Sequence, residues 1–84
     1  MQAAIDIERD IKVFVVQTFL EGNATRLPEG GSLLGNVIDS MGVLALVAYL
    51  QEHFGITVED EEVVPSNLDT IQNVSAYVAK KIGA

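Results

Sequence analysis

Residues 36–50 read NVIDSMGVLALVAYL, in which an Asp-Ser pair is followed directly by a long apolar run. Aspartate and serine are residues that commonly cap the N-terminus of an α-helix. The apolar residues after them recur at helical spacing, and the pattern ends at Phe54, before Gly55. We therefore predict a helix from about Ser40 to Phe54, capped by either Asp39 or Ser40.

The helix predicted from Ser40 is apolar on nearly every side. One face is expected in the core and carries Val43, Leu46, Val47, Leu50 and Phe54. The other side carries Met41, Leu44, Ala45 and Ala48. Because a monomer of 84 residues cannot bury both faces of such a helix, we expect the second face to be partly covered by the long loop and partly exposed as a docking surface.

Three more helical segments are predicted outside this stretch. Residues 5–20 form an amphipathic helix whose apolar side is expected to carry Ile7, Ile11, Phe14, Val15 and Thr18. The acidic run at residues 59–62 indicates a short helical turn, which Pro65 is expected to close. A last helix is expected to run to Ile82 from a cap at Asp69 or Thr70.

Residues 22–39 form a long connection that is rich in glycine yet not polar. Its large apolar side chains must be buried somewhere: Leu27, Leu33, Leu34, Val37 and Ile38. We expect an ordered loop over the core, and loops of this length are often functional. No segment alternates with a period of two, so strands are not expected. The fold class is all-α: a bundle of three main helices and one short helix, with residues 1–84 forming a single domain.

Charge and composition exclude several classes of function. Five basic residues against twelve acidic ones give a net charge of −7, which argues against nucleic acid and anionic membranes as partners. The chain has no cysteine, and the acids at 59–62 lack the spacing of a calcium loop, so no metal site is expected. The apolar run at 43–50 is too short to span a bilayer, and the N-terminus does not resemble a signal peptide. We expect a cytoplasmic monomer.

No catalytic residue is predicted. Ser40 lacks the first glycine of a nucleophile elbow, because Ile38 stands at that position. The one histidine, His53, follows thirteen residues later on the same predicted helix, about 20 Å away along its axis, which excludes a Ser-His pair. We expect His53 to be a solvated residue at the end of the helix, where the dipole favours it.

Ser40 itself has two possible roles at this point. It could be only the helix cap, worth about 1 kcal/mol, in a small helical module that binds other proteins. Alternatively, its hydroxyl is accessible for modification beside the glycine-rich loop. Gly42 favours the second role, because a glycine in the first turn costs about 1 kcal/mol relative to alanine and is expected to open space beside Ser40.

Residues 33–56, LLGNVIDSMGVLALVAYLQEHFGI, resemble the signature of acyl carrier proteins and peptidyl carrier domains. The following acids and the last amphipathic helix extend the likeness. The resemblance implies a four-helix acyl-carrier-like bundle and a function without catalysis. It also implies that a phosphopantetheinyl transferase esterifies Ser40 with 4′-phosphopantetheine from coenzyme A, with Asp39 as the flanking neighbour. The thiol of that arm would carry an acyl or aminoacyl group as a thioester.

The resemblance also suggests the partners, with one departure from the family pattern. Carriers of fatty acid synthesis usually have an acidic second helix, whereas here Glu52 is its one acid. Docking is therefore assigned to Met41, Leu44, Ala45 and Glu52. The motif DSMG at residues 39–42 is similar to that of D-alanyl carrier proteins and of stand-alone carriers that work with adenylating ligases. The expected partners are an acyl- or aminoacyl-activating ligase and downstream synthase or transferase enzymes, and the cargo stays open between fatty acyl, polyketide and aminoacyl groups.

Overall fold

The computed structural model describes residues 4–27 and 32–83. Its α-helices are α1 (Ala4–Phe19), α2 (Ser40–Phe54), α3 (Pro65–Leu68) and α4 (Ile71–Ile82). Two single 3₁₀ turns, Ala24–Arg26 and Asp60–Glu62, lie in the connections. No β-strand occurs within the described residues. The all-α bundle of three main helices and one short helix is confirmed.

The core lies between the three long helices, and α1 packs along α4. On α1 the buried positions include Ile7, Ile11 and Val15, each without exposed surface, as its apolar pattern predicts. Thr18 was expected on this face but is exposed, and Val16 is buried instead. Several other side chains complete the buried cluster: Leu33, Ile38, Leu46, Leu50, Leu68, Ile71, Val74, Tyr77 and Val78.

Helix α2 has the two faces that its sequence predicts. Leu46 and Leu50 are fully buried, whereas the side chains on the opposite side are exposed to solvent. The helix ends at Gly55, which has a φ of 68° and donates its N–H to the carbonyl of Gln51. Glycine adopts this left-handed conformation without a steric penalty, which explains why the helix stops there.

The long connection before α2 is ordered over the core in its described part. Leu33 and Ile38 are buried, and Leu27, Leu34 and Val37 are half-buried against the same cluster. Pro28, Gly30 and Gly31, which belong to this connection, lie outside the described residues. The prediction that the apolar side chains of the loop pack on the core is confirmed.

The segment between α2 and α4 differs from its prediction at Pro65, whereas the cap of α4 is one of its two predicted candidates. Pro65 does not close the acidic turn; it is the first residue of α3, where its missing N–H leaves no helical hydrogen bond unmade. The cap of α4 is Thr70, whose hydroxyl accepts the Asn73 N–H at 2.9 Å. Asp69, the other candidate cap, bonds elsewhere.

The acidic turn contains one carboxylate that is bonded to α4 as well as to its own backbone. One oxygen of Glu62, Oε1, accepts the Glu59 N–H at 3.0 Å, the Tyr77 hydroxyl at 2.9 Å and the Lys81 ammonium at 3.0 Å. The backbone bond from Glu59 and then those from Lys81 and Tyr77 lower the pKa of Glu62 to about 2. Burial and the bond to Glu62 raise the pKa of Tyr77 to about 12. Glu62 therefore ties the turn to α4.

This arrangement predicts a loss of stability in acid. Because the pKa of Glu62 falls from 4.5 to about 2 on folding, its contribution to the free energy of unfolding is complete above pH 4.5. That contribution is lost as the pH falls towards 2. In Glu62→Gln this part of the acid destabilisation should disappear, whereas Glu61→Gln, which changes an exposed neighbour, should keep it. Urea unfolding at several pH values between 2 and 5 measures both, and identical profiles for Glu62→Gln and the unmodified chain would contradict the assignment.

Candidate functional site

At the start of α2, Asp39 caps the helix and the hydroxyl of the next residue, Ser40, is not used for capping. The carboxylate of Asp39 caps the helix, with Oδ1 accepting the Gly42 N–H at 2.7 Å. Ser40 is the first helical residue and is exposed. Its hydroxyl makes no hydrogen bond to any other residue within 4–27 and 32–83. The hypothesis that Ser40 is only a cap is therefore wrong, and the hydroxyl is available for chemistry.

Gly42 has a different role from the one its sequence context suggests. The residue is buried, and a Cβ added to it would lie 2.9 Å from both Ile38 Cγ2 and Phe19 Cε1. The glycine allows the first turn of α2 to approach these two side chains closely. The expectation that it opens space beside Ser40 is wrong; instead, it fixes the turn that carries Ser40 against the core.

We expect Gly42→Ala to destabilise the fold although alanine favours helix. The added methyl group requires Ile38 or Phe19 to move, and overpacking of this kind typically costs about 1–3 kcal/mol. The better helix propensity of alanine returns about 1 kcal/mol. The net loss should be about 1 kcal/mol, measurable as a lower midpoint of urea unfolding. Gly22→Ala is no fair comparison because its φ is 80°, so Ala48→Gly on the exposed side of α2 is the control for propensity alone.

The predicted docking residues share the exposed side of α2 with Ser40. Met41 keeps 73% of its surface exposed and Leu44 keeps 66%, while Ala45 and Glu52 are also exposed. One stripe of the helix carries residues spaced four apart: Ser40, Leu44, Ala48 and Glu52. The first turn contains no acid, and Glu52 stands about 18 Å from Ser40 along the axis. Apart from Asp39, which is itself exposed, the surface next to Ser40 on this side of α2 is apolar.

His53 lies at the other end of α2, as predicted, but it is not simply solvated. Its Nε2 is 3.2 Å from Asp10 Oδ2 on α1, and its ring stacks on Tyr49 with the ring centroids 4.9 Å apart. Tyr49 stacks in turn on Phe14, at 4.0 Å. These contacts join α2 to α1. Among residues 4–27 and 32–83 no group of side chains is arranged to hold a metal ion.

The contact between Asp69 and the loop before Ser40 could not be predicted from the sequence. It precedes Thr70, so the pair reads as two alternative helix caps. In the structure its carboxylate bonds to Ser32 and Leu34, in the segment that leads to Ser40. No local pattern indicates this contact, because the partners are 37 and 35 residues apart.

A model of the family described as the phosphopantetheine attachment site matches residues 32–78. The match covers more than half of the chain and includes the last part of the loop before α2, all of α2 and α3, and most of α4. The chain belongs to this family. The resemblance noted in the sequence and the covalent 4′-phosphopantetheine that it implies are thereby confirmed for this phosphopantetheine carrier. A comparison with curated proteins found no significant match to the chain.

The start of α2 fits such a prosthetic group. The free hydroxyl of Ser40 is exposed, and it lies at the positive end of the helix dipole, where a phosphate ester is stabilised. The carboxylate of Asp39 is held by the Gly42 N–H at 2.7 Å, so the cap does not depend on the Ser40 hydroxyl. In the described part of the carrier, no helix is both long enough and apolar enough to cross a membrane.

Proposed function

We propose that Ser40 is the attachment residue, and that the protein carries acyl or aminoacyl groups as thioesters on the arm bound there. The observation that supports this most is the division between Asp39 and Ser40. Asp39 caps the helix, so in the part of the chain that the structure describes the Ser40 hydroxyl has no hydrogen bond to lose when it is esterified. The alternative of a binding module in which Ser40 is only a cap has no such support.

The modification is a phosphoryl-transfer reaction at the Ser40 oxygen. That oxygen forms a bond to a phosphorus of the coenzyme A pyrophosphate while the phosphorus–oxygen bond to the adenosine half breaks. Adenosine 3′,5′-bisphosphate leaves with the bond electrons, and the serine proton passes to a base of the transferase. The arm supplies the thiol that this chain lacks, since the sequence contains no cysteine. The chain itself presents the cargo and contributes no catalytic residue.

Docking of the partner enzymes is assigned to Met41, Leu44, Ala45 and Glu52. The exposure of Met41 and Leu44 beside Ser40 supports hydrophobic contact with a phosphopantetheinyl transferase, an activating ligase and a downstream synthase or transferase. An uncharged first turn suits a ligase without a strongly basic docking surface. We infer that such a carrier acts in the cytoplasm, in fatty acid, polyketide or related biosynthesis.

The attachment is tested by incubating the protein with coenzyme A and a broad-specificity phosphopantetheinyl transferase. The intact mass should rise by one phosphopantetheine per chain, and fragmentation of the modified peptide should place the group on Ser40. Ser66→Ala, which removes another exposed serine at the start of a helix, should be modified normally. No increase in mass, or a group on Ser32 or Ser66, would overturn the proposal.

A further inference from the structure

Asp69, between α3 and α4, accepts hydrogen bonds from three consecutive residues of the loop that leads to Ser40, two through its carboxylate and one through its backbone carbonyl. The Ser32 hydroxyl donates to Oδ1 and Oδ2 at 3.0 and 3.1 Å, and the Leu34 N–H donates to Oδ1 at 3.1 Å. The N–H of Leu33 donates to the Asp69 carbonyl. Because Thr70 caps α4, these bonds of Asp69 serve the loop alone.

The held residues continue as a closed turn that ends next to Asp39. The Leu33 carbonyl accepts the N–H groups of Val37 and Ile38 at 2.8 and 2.9 Å, and the Gly35 N–H donates to the Ile38 carbonyl at 2.9 Å. Leu33 and Ile38 are both buried in the core. An unbroken path of hydrogen bonds and short covalent links therefore runs from Asp69 to Asp39, the cap of the helix that begins with Ser40.

We propose that Asp69 is a positioning residue for the modification of Ser40, and this inference rests on the proposed attachment at that serine. Asp69 acts through the turn, since within residues 4–27 and 32–83 no hydrogen bond joins it directly to Ser40 or to the docking residues of α2. Its loss should leave binding to the transferase largely intact but should let the first turn of α2 adopt several positions. Reactions that need an aligned nucleophile lose rate steeply when its position shifts by about 1 Å.

The predicted signature is a change in kcat with little change in KM. In steady-state assays with the transferase and coenzyme A, Asp69→Ala should lower kcat by on the order of tenfold, with KM for the carrier near that of the unmodified chain. Asp69→Asn should recover much of this rate, since its amide oxygen can still accept the Leu34 N–H. Ser32→Ala should give a smaller reduction, because it removes one donor. Asp60→Ala removes an exposed acid of the same charge and is the matched control.

A second measurement separates positioning from general stability. All rates are compared at a temperature where circular dichroism shows each variant to be folded. In ¹H–¹⁵N spectra the Ser40 amide should shift in Asp69→Ala and Ser32→Ala but not in Asp60→Ala. If Asp69→Ala does not fold, Asp69→Asn and Ser32→Ala decide the matter. An unmoved Ser40 amide with unchanged kcat in the folded variants overturns the inference, whereas failure of the unmodified chain to be loaded overturns the attachment proposal itself.

Discussion

Ser40→Ala is expected to abolish loading by the transferase while leaving the free energy of unfolding within about 0.5 kcal/mol of its original value. Loading is lost because the substitution removes the hydroxyl that the transferase is proposed to esterify. Stability is kept because the Ser40 side chain is exposed and makes no hydrogen bond within the described part of the chain. Intact mass after incubation with coenzyme A and the transferase measures the first effect, and urea unfolding measures the second.

Asp39→Ala is the matched variant and should behave in the opposite way. Removing the carboxylate that accepts the Gly42 N–H should cost about 1 kcal/mol, as is typical of helix caps. Loading should slow but remain measurable, because the hydroxyl of Ser40 is still present. If Ser40→Ala destabilises the fold more than Asp39→Ala does, the assignment of the cap is wrong. If Ser40→Ala is still loaded, the attachment residue is wrong.

The helix that carries the site could be predicted from the sequence almost to the residue. Its signals are local: a capping pair at Asp39 and Ser40, an apolar run at helical spacing, and Gly55 at the end. The same run shows two apolar faces, from which the exposure of Leu44 follows once the size of the chain is considered. Such signals predict the helix well because its caps and its apolar spacing depend on residues that are close together in the sequence.

The choice between neighbouring candidates could not be predicted, because tertiary contacts decide it. Asp69 and Thr70 are both good caps by local rules. In the fold, the Asp69 carboxylate accepts hydrogen bonds from Ser32 and Leu34 of the distant loop, and Thr70 caps the helix. The role of Gly42 likewise depends on side chains of Ile38 and Phe19 that reach it only in the folded bundle. The local sequence limits the roles that a residue can take, and tertiary packing selects among them.

The largest effect on stability is expected at Leu46. This side chain is fully buried in the core cluster, so Leu46→Ala should lower the free energy of unfolding by about 3 kcal/mol through lost burial and a residual cavity. That is a large share of the 5–15 kcal/mol typical of whole domains. Leu44→Ala is the matched control, two residues away on the same helix, and should change stability by less than about 0.5 kcal/mol because Leu44 is 66% exposed. Equal losses in urea unfolding would show that the two faces of α2 are assigned wrongly.

In docking, unlike in stability, Leu44→Ala should have a larger effect than Leu46→Ala. Leu44→Ala removes an apolar contact beside Ser40, so KM for the carrier in the transferase assay should rise several-fold, and Leu44→Glu should raise it further by placing a charge there. Glu52→Gln, at the far end of the exposed stripe, should have a smaller effect. Because exposed charges are screened over about 8 Å at physiological ionic strength, docking through the apolar residues Met41 and Leu44 should depend only weakly on salt. A steep rise in KM with salt, with Leu44→Ala near the unmodified chain, would instead place the steering in the acids at 59–62.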